Sequence, residues 1–404
     1  MKILNNFLLF CTALAMISCD GPIGYLIHVN KTDKRCYEYR SNDEVDDDTI
    51  RFVIGKENQM LMKAEINGVE DTVMYDSGAG TSAVLFYNEE NKPDDMKFYR
   101  MYITGADKLT KVRMTKIPIN IKTPMCIVNH VGDAMLMSKE HFCDNEIDIT
   151  RHNIIGFAGL NYRPLAFNFT KNQIYHINDI SLIDTTGYIP VKCKLKKNVL
   201  FIYPVINGVE YECIFDTGNG AGILLKDKQR VKNRLSNDVL YEGSWGKAAG
   251  GTTKKQLFVI SQENTIDFAG TKDTTSIIYL GGNLAFNNVG LSYIRKFDWI
   301  IDTEYDTIRI DSAVYYETRN YKLYAKPHEY DTIKKTKDFP PYLLTSANNT
   351  LTILTRLLDG NEVFKVGDKI VSVNGEEITA ENICHYYDLL TESKDWSKFD
   401  IKVK

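Results

Sequence analysis

Two aspartates stand in matching tripeptides, Asp-Ser-Gly at residues 76–78 and Asp-Thr-Gly at residues 216–218. One such tripeptide is typical of an ordinary turn after a strand, because Asp and Gly are both favoured in turns. Two of them at matching places favour a site in which the carboxylates face each other. Like charges at that separation do not both ionise, so the pair shares one proton and supplies a base and an acid. The pattern predicts activation of a bound water for attack on a carbonyl carbon, with no metal or organic cofactor.

An internal repeat surrounds these tripeptides. Residues 66–80 and 206–220 align without a gap at an offset of 140 residues, with eight identities in fifteen positions. Both segments begin with an Asn-Gly turn signal and continue as an apolar strand that ends at Asp76 or Asp216. The sequence therefore predicts a duplicated hairpin, with a pseudo-twofold axis that brings the two loops together.

A second parallel follows each tripeptide. An apolar pair closed by glycine occurs as Ile154-Ile155-Gly156 in the first copy and, we expect, as Tyr279-Leu280-Gly281 in the second. Strand-like stretches come next, at residues 165–175 and 299–310. Coincidence among common hairpin sequences is the alternative, but parallels in the same order favour two copies of one supersecondary plan.

The residues beside the aspartates are suited to holding them in place. Ser77 and Thr217 carry hydroxyls that can hydrogen-bond the opposite loop and keep the carboxylates rigid. Gly78 and Gly218 have no side chain, which allows the two backbones to approach closely. We predict positioning roles for these four residues.

With these motifs the chain resembles the aspartic protease superfamily over residues 50–312, with lobes closer in size to the retropepsin-like type than to the larger pepsin lobes. The resemblance implies a β-barrel-like lobe in each copy, in which the apolar-apolar-Gly segment packs beneath the aspartate loop. It also implies that Asp76 and Asp216 are the catalytic pair of an endopeptidase. The substrate would be a peptide or an unfolded protein.

The resemblance further implies a glycine-bearing flap hairpin after each catalytic loop. Tyr102 and Gly105 mark the candidate flap in the first copy, and Gly246 and Gly250 mark it in the second. A glycine-rich turn between two strands is also typical of an ordinary hairpin. Asn219 stands where the family usually has Ala or Ser after the tripeptide. The second loop is therefore expected to differ in geometry from the family's usual loop.

The pattern changes from about residue 330, in a polar stretch that runs to the breaker pair Pro340-Pro341. Residues 366–375 combine a Gly-Asp turn, an alternating strand and an Asn-Gly turn, and residues 380–391 are predicted as a helix. This order resembles a PDZ domain, which implies capture of a substrate or partner peptide at a sheet edge, here near residues 342–344. Another small β-rich module with an Asn-Gly hairpin is the alternative.

Residues 1–18 are predicted as an export signal, because the apolar run over residues 7–17 is too short for a comfortable membrane span. Ser18 before Cys19 resembles the lipobox of bacterial lipoproteins, which implies lipid modification of Cys19. An ordinary secretory signal with an incidental cysteine is the alternative. We expect a protein anchored by lipid in the bacterial cell envelope, on the periplasmic face or at the cell surface.

Composition excludes several other classes. With 49 basic and 53 acidic side chains the formal charge is −4, so no global field attracts nucleic acid. Frequent Tyr, Phe, Ile and Val predict a mostly β chain. The cysteines form no Cys-x-x-Cys pair, so a zinc site is unsupported; Cys126 and Cys143 are the nearest pair, and disulfide connectivity stays open. Motifs of serine hydrolases, zinc proteases and nucleotide enzymes do not occur.

We therefore predict a mostly β aspartic endopeptidase with two tandem lobes. A catalytically silent, lipid-anchored peptide-binding or scaffold protein with the same architecture is the alternative from another class. Two buried carboxylates that repel each other argue against it, because a protein that does not cleave has little physical reason to keep them. The predicted parts are a signal (1–18), a tether with first strands (19–49), lobe one (50–182), lobe two (183–312), a linker (313–329) and an α+β PDZ-like domain (330–404).

Overall fold

A computed structural model of the chain describes residues 37–39, 49–55, 58–87, 93–104, 109–137, 143, 153–177, 179–196, 198–248, 251–282, 284–310, 313–328, 340–347, 350–358 and 363–404. Within these ranges strands predominate (57%) over helices (10%), so the predicted mostly β fold is confirmed. Within the described ranges, no helix is long and apolar enough to cross a membrane. The predicted export signal and Cys19 lie outside these ranges.

The first half of the chain, residues 37–182, consists mainly of antiparallel hairpins. Apolar residues at alternate positions give several strands one face in the core, as in β2, where Ile50 and Phe52 are buried between exposed neighbours. A short 3₁₀ helix follows at Ile180–Leu182. The elements are β1 (Tyr37–Tyr39), β2 (Thr49–Ile54), β3 (Met60–Ile66), β4 (Val69–Asp76), β5 (Ala83–Tyr87), β6 (Tyr99–Thr104), β7 (Leu109–Lys122), β8 (Ile127–Met137), β9 (Ile154–Gly156), α1 (Phe157–Leu160), β10 (Leu165–Asn168) and β11 (Gln173–His176).

The second half, residues 183–328, also consists mainly of antiparallel hairpins. Its strands form a second large sheet, apart from the two-stranded pair β20 and β21 and the strands that join the first sheet. The elements are β12 (Ile189–Val191), β13 (Cys193–Lys196), β14 (Val199–Ile202), β15 (Val205–Ile206), β16 (Val209–Glu210), β17 (Cys213–Asp216), β18 (Ile223–Lys226), α2 (Lys228–Lys232), β19 (Val239–Gly243), β20 (Lys247–Ala248), β21 (Gly251–Thr252), β22 (Gln256–Phe268), β23 (Thr271–Leu280), β24 (Asn287–Gly290), α3 (Leu291–Ile294), β25 (Phe297–Ile310) and β26 (Ala313–Pro327).

The C-terminal unit, residues 340–404, has an apolar cluster of its own, in which Tyr342, Leu390 and Trp396 are buried. A 3₁₀ helix at Trp396–Lys398 precedes its last strand. The elements are β27 (Tyr342–Ala347), β28 (Thr350–Leu357), β29 (Lys369–Val373), β30 (Glu376–Glu377), α4 (Ile383–Glu392) and β31 (Ile401–Val403).

The same parallel strand pair occurs in both halves. β4 runs parallel to β9, so that Asp76 lies opposite Gly156, and β17 runs parallel to β24, so that Asp216 lies opposite Gly290. In each half the short strand is followed at once by a one-turn helix, α1 or α3. The predicted repeat is thus visible in the strand pairing as well as in the sequence.

The second apolar-apolar-Gly segment was predicted wrongly. Tyr279 and Leu280 of the segment Tyr279-Leu280-Gly281 end β23 and pair with β18 rather than with β17. The position beside β17 belongs to Asn287–Gly290. The apolar-apolar-Gly pattern is absent from the correct segment because Asn288 is polar at the position where the first copy has the apolar Ile154.

One sheet, here called the central sheet, contains strands from both halves. β10 pairs with β25, and β25 pairs with β26 along its whole length. Residues 313–329, predicted as a linker, therefore contain the strand β26. Leu323 and Ala325 of β26 are buried in the core. The strand was not predicted because most of its residues are charged or carry a hydroxyl group.

The C-terminal unit continues the sheet of the second half. Residues Tyr241–Gly243 of β19 pair antiparallel with residues 355–357 of β28. Arg356 and Glu242 add an ion pair at 2.9 Å across this junction. The boundary predicted near residue 330 separates two apolar cores, but the sheet of the second half continues through β28 into the C-terminal unit.

Candidate active site

The two predicted aspartates meet at the ends of β4 and β17. The side chains of Asp76 and Asp216 hydrogen-bond each other. A Cβ built on Gly78 would come within 2.5 Å of the Asp216 carboxylate, and one on Gly218 would overlap the Asp76 carboxylate. The opposite carboxylate therefore occupies the space beside each glycine. Any other residue type would fill this space with its Cβ.

Two hydroxyls join the loops below the carboxylates. The backbone N–H of Ser77 donates to Thr217 Oγ1 at 3.0 Å, and the backbone N–H of Thr217 donates to Ser77 Oγ at 2.9 Å. Each hydroxyl in turn donates across the interface, Ser77 to the Phe215 carbonyl at 2.8 Å and Thr217 to the Tyr75 carbonyl at 2.9 Å. All four bonds are buried, so they fix the separation of the two loops.

Backbone amides support each carboxylate in the same way. The Oδ1 atom of each aspartate accepts hydrogen bonds from the N–H groups two and three residues later, at 2.9 and 3.1 Å for Asp76 and at 3.0 and 3.1 Å for Asp216. These donors orient the inner oxygens. The Oδ2 atoms are not held by these amides.

One side chain makes the pair asymmetric. Asn288 Nδ2 donates a hydrogen bond to Asp216 Oδ2, and Asn219 Nδ2 donates to Asn288 Oδ1 at 2.7 Å. The position of the first half that matches Asn288 is Ile154, which has no donor. Asn219, which differs from the Ala79 of the first loop, therefore holds the amide that supports Asp216.

Burial sets the protonation of the pair. It raises the pKa of Asp76 well above its usual range, and the neighbouring Asp216 carboxylate raises that pKa further. Burial also raises the pKa of Asp216, but the Asn288 hydrogen bond acts in the opposite direction. The shared proton therefore resides preferentially on Asp76, and Asp216 is the preferred anion. Both residues keep a partly exposed surface that a water molecule or a substrate can reach.

Aromatic side chains of the central sheet lie under both loops. Tyr75, just before Asp76, packs on Phe167 with ring centroids 5.5 Å apart. Phe215, just before the second aspartate, packs on Trp299 at 4.9 Å. Phe167 and Trp299 are register partners across β10 and β25. The sheet shared by the two halves thus supports both aspartates from below.

Two of the four predicted flap residues, Tyr102 and Gly246, lie on hairpins within the described part of the chain. Tyr102 on β6 pairs with Lys111 on β7 and is 63% exposed. Gly246 lies between β19 and β20, where its carbonyl accepts from the Thr253 N–H at 3.0 Å. Gly105 and Gly250 are outside the described residues. A role for either hairpin over the site stays a prediction.

The sequence does hold a signal for the correct second segment. Residues 153–156 and 287–290 both read Asn-x-(Ile/Val)-Gly. The side chains of Asn153 and Asn287 accept equivalent hydrogen bonds at 2.9 Å from the backbone N–H groups of Leu85 and Lys226. A search for this asparagine would have found β24 and, with it, Asn288.

Nothing in the described ranges groups three or more His, Cys, Asp or Glu side chains in a way that could hold a metal ion. The arrangement can hold a water molecule between an acid and a base, which is sufficient for hydrolysis. Compared with known proteins, the chain matches no family model and no curated protein.

Proposed function

We propose that the protein is an aspartic endopeptidase that cleaves peptides or unfolded proteins. The observation that carries the proposal is the Asp76 and Asp216 pair, with side chains in hydrogen-bonding contact and the loops cross-linked by Ser77 and Thr217. A shared proton provides the acid and the base of peptide hydrolysis in one place.

In this mechanism the ionised Asp216 takes a proton from the bound water, and the oxygen of that water attacks the scissile carbonyl carbon. Protonated Asp76 donates a hydrogen bond to the developing oxyanion, and the proton taken from water passes to the leaving amine. The Asn288 amide supports this assignment because it donates to Asp216 and stabilises its anion. Both carboxyl groups return to their initial state after one water has been consumed.

The two halves then correspond to the two lobes of a protease, and the C-terminal unit to a PDZ-like module. The order of strands and helix from β27 to β31 supports this second likeness. In such a module a peptide adds to the sheet edge formed by β27, beside α4. We further propose an envelope location with a lipid anchor at Cys19, which rests on the sequence of residues 1–19.

A digest of a peptide library across pH tests the proposal. Wild type is expected to cleave, whereas Asp76→Asn and Asp216→Asn each lose at least about 10³-fold in rate, because one partner can no longer ionise or give up a proton. Asp267→Asn is the matched control, since Asp267 is an exposed aspartate on β22. This variant should cleave like wild type.

Two results contradict the proposal. Equal cleavage by wild type and both active-site variants would assign the products to a contaminant. Binding of library peptides without any cleavage between pH 3 and 8 would identify the silent scaffold instead. The second result leaves the geometry of the pair intact but removes its catalytic role.

A further inference from the structure

Cys143 belongs to the first half by sequence, yet it is buried in the C-terminal unit. The residue follows β8 and precedes β9, and it is only 5% exposed within the apolar cluster around Tyr342 and Trp396. Its backbone N–H donates to Ser346 Oγ on β27 at 3.0 Å. Cys143 is thus a point where the connection between β8 and β9 touches the C-terminal unit.

The thiol of Cys143 meets a second thiol at this point. Cys384, near the start of α4, packs against the same apolar cluster and hydrogen-bonds the Cys143 sulfur. Burial and this contact raise the pKa of the Cys143 thiol to about 12. Two cysteines that are 241 positions apart in sequence therefore have their sulfurs in contact, beside β27 and α4.

The other described cysteines have different neighbours. Cys126, which the sequence placed nearest to Cys143, has its sulfur 3.5 Å from Thr123 Oγ1. Cys193 donates to the Tyr321 carbonyl, and Cys213 is buried in β17. The contact between Cys143 and Cys384 is therefore a better candidate for a covalent link than Cys126 and Cys143, the nearest pair in the sequence.

We propose that Cys143 and Cys384 form a disulfide bond that fixes the connection between β8 and β9 to helix α4 of the C-terminal unit. The reaction is a thiol–disulfide exchange with a small oxidised disulfide. Cys384, which is the more exposed of the two, attacks one sulfur of the oxidant and releases its first thiol. Cys143 then attacks Cys384 in the mixed disulfide and releases the second thiol. Two electrons and two protons pass to the oxidant, and the sulfurs close from hydrogen-bonding contact to about 2.05 Å.

The bond has a consequence for residue 143. The backbone N–H of Cys143 donates to the Ser346 hydroxyl on β27. Oxidation therefore holds residue 143 beside this strand, and reduction removes that covalent restraint. The inference itself does not depend on peptide hydrolysis, because the bond is detected by mass alone.

Mass spectrometry of the full-length protein tests the inference. The protein is equilibrated with excess oxidised glutathione, unfolded in the presence of an alkylating agent and digested without reductant. The expected result is one linked peptide pair that contains Cys143 and Cys384 and separates on reduction. Alkylated Cys143 and Cys384 in unlinked peptides, or a bond from Cys143 to Cys126, would overturn the inference.

Thermal unfolding provides a second measurement. Wild type and the control Cys193→Ser should have a higher Tm in oxidised than in reduced glutathione, because a bond across so long a loop restricts the unfolded chain. Cys143→Ser and Cys384→Ser should each lose this difference. A redox-dependent Tm that persists in both of these variants contradicts the proposed bond.

Discussion

The two aspartates have the same backbone support but different side-chain neighbours. Asn288 donates to Asp216, whereas its counterpart in the first half is Ile154. An amide donor favours a carboxylate over a carboxylic acid, so this one difference decides which aspartate carries the proton. Asn219 holds the amide in place at 2.7 Å. The unusual residue of the second tripeptide loop is thus part of the site.

Asn288→Leu should lower kcat/KM about 10- to 100-fold, the range expected for loss of a hydrogen bond to a charged group. Without the amide the pKa of Asp216 rises, so the acidic limb of the pH–rate profile moves to higher pH. The pH dependence of kcat/KM measures both effects. Asn287→Leu is the control, since this change removes a hydrogen bond to the Lys226 N–H on β18 without touching the pair. An acidic limb that stays in place in Asn288→Leu would refute the assigned role.

The elements that position the aspartates come from distant parts of the chain. The pair β10 and β25 places Phe167 and Trp299 under Tyr75 and Phe215. Trp299 is fully buried, and its indole N–H donates to the Ile294 carbonyl at 2.8 Å. Packing of this kind holds the loops in register, because large rings leave little room for rearrangement.

Trp299→Ala should destabilise the protein by about 3–5 kcal/mol and lower kcat, because the cavity beneath Phe215 loosens the second loop. Urea unfolding and steady-state kinetics of the same sample measure the two effects. Trp396→Ala removes a buried tryptophan from the C-terminal cluster and should lower stability without the fall in kcat. Equal kcat values for the two variants would argue against a role of the central sheet in positioning.

Local signals predicted the local structure well. The Asn-Gly turns at 67–68, 207–208 and 374–375 all have positive φ at both residues, and the helix predicted at 380–391 is observed at Ile383–Glu392. Features that depend on distant partners were missed. Asn288 is one of two asparagines in the short strand β24, and only its contact with Asp216 reveals its use. Likewise, nothing local to Cys143 indicates that it lies against Cys384.

Across the whole molecule, the sheet that carries Asp216 extends by strand pairing into the C-terminal unit. β19 leads into the hairpin predicted as the second flap, and its last residues pair with β28. At the junction Gly243 has φ +138°, and a Cβ there would overlap the backbone of Leu354 and approach Thr355 within 2.6 Å. Occupancy of the C-terminal unit can therefore affect the strand that leads into this hairpin.

Gly243→Ala should weaken the junction by about 1–3 kcal/mol, the usual cost of a strained backbone conformation. Hydrogen exchange should quicken at the amides of Ser244 and Leu358, which bond across the junction to the carbonyls of Leu354 and Leu240. Gly246→Ala is the control because open space surrounds that position. Unchanged protection of Ser244 and Leu358 in Gly243→Ala would show that the pairing tolerates a side chain.

Acid stability of the whole protein depends on a buried histidine of β8. Burial, with a smaller effect of Lys116, lowers the pKa of His130 from 6.5 to about 4. The unfolded chain therefore binds more protons than the folded protein between these values. The stability that His130 contributes is complete above pH 6.5 and is lost as the pH falls towards 4.

His130→Leu should make the free energy of unfolding less dependent on pH, by about 3 kcal/mol between pH 7 and pH 4. Urea titrations at a series of pH values measure this difference. The exposed His385 supplies the control variant His385→Gln, which should follow the wild-type curve. Parallel curves for His130→Leu and wild type would mean that His130 does not resist protonation.

The most direct test of the central claim is cleavage of one peptide in ¹⁸O-labelled water, followed by mass spectrometry of the new carboxyl terminus. If Asp76 and Asp216 activate a water molecule together, wild type incorporates one ¹⁸O atom per cleavage, and Asp76→Asn and Asp216→Asn yield no product above background. Labelled product at wild-type rate from either variant would contradict a shared catalytic role for the two aspartates.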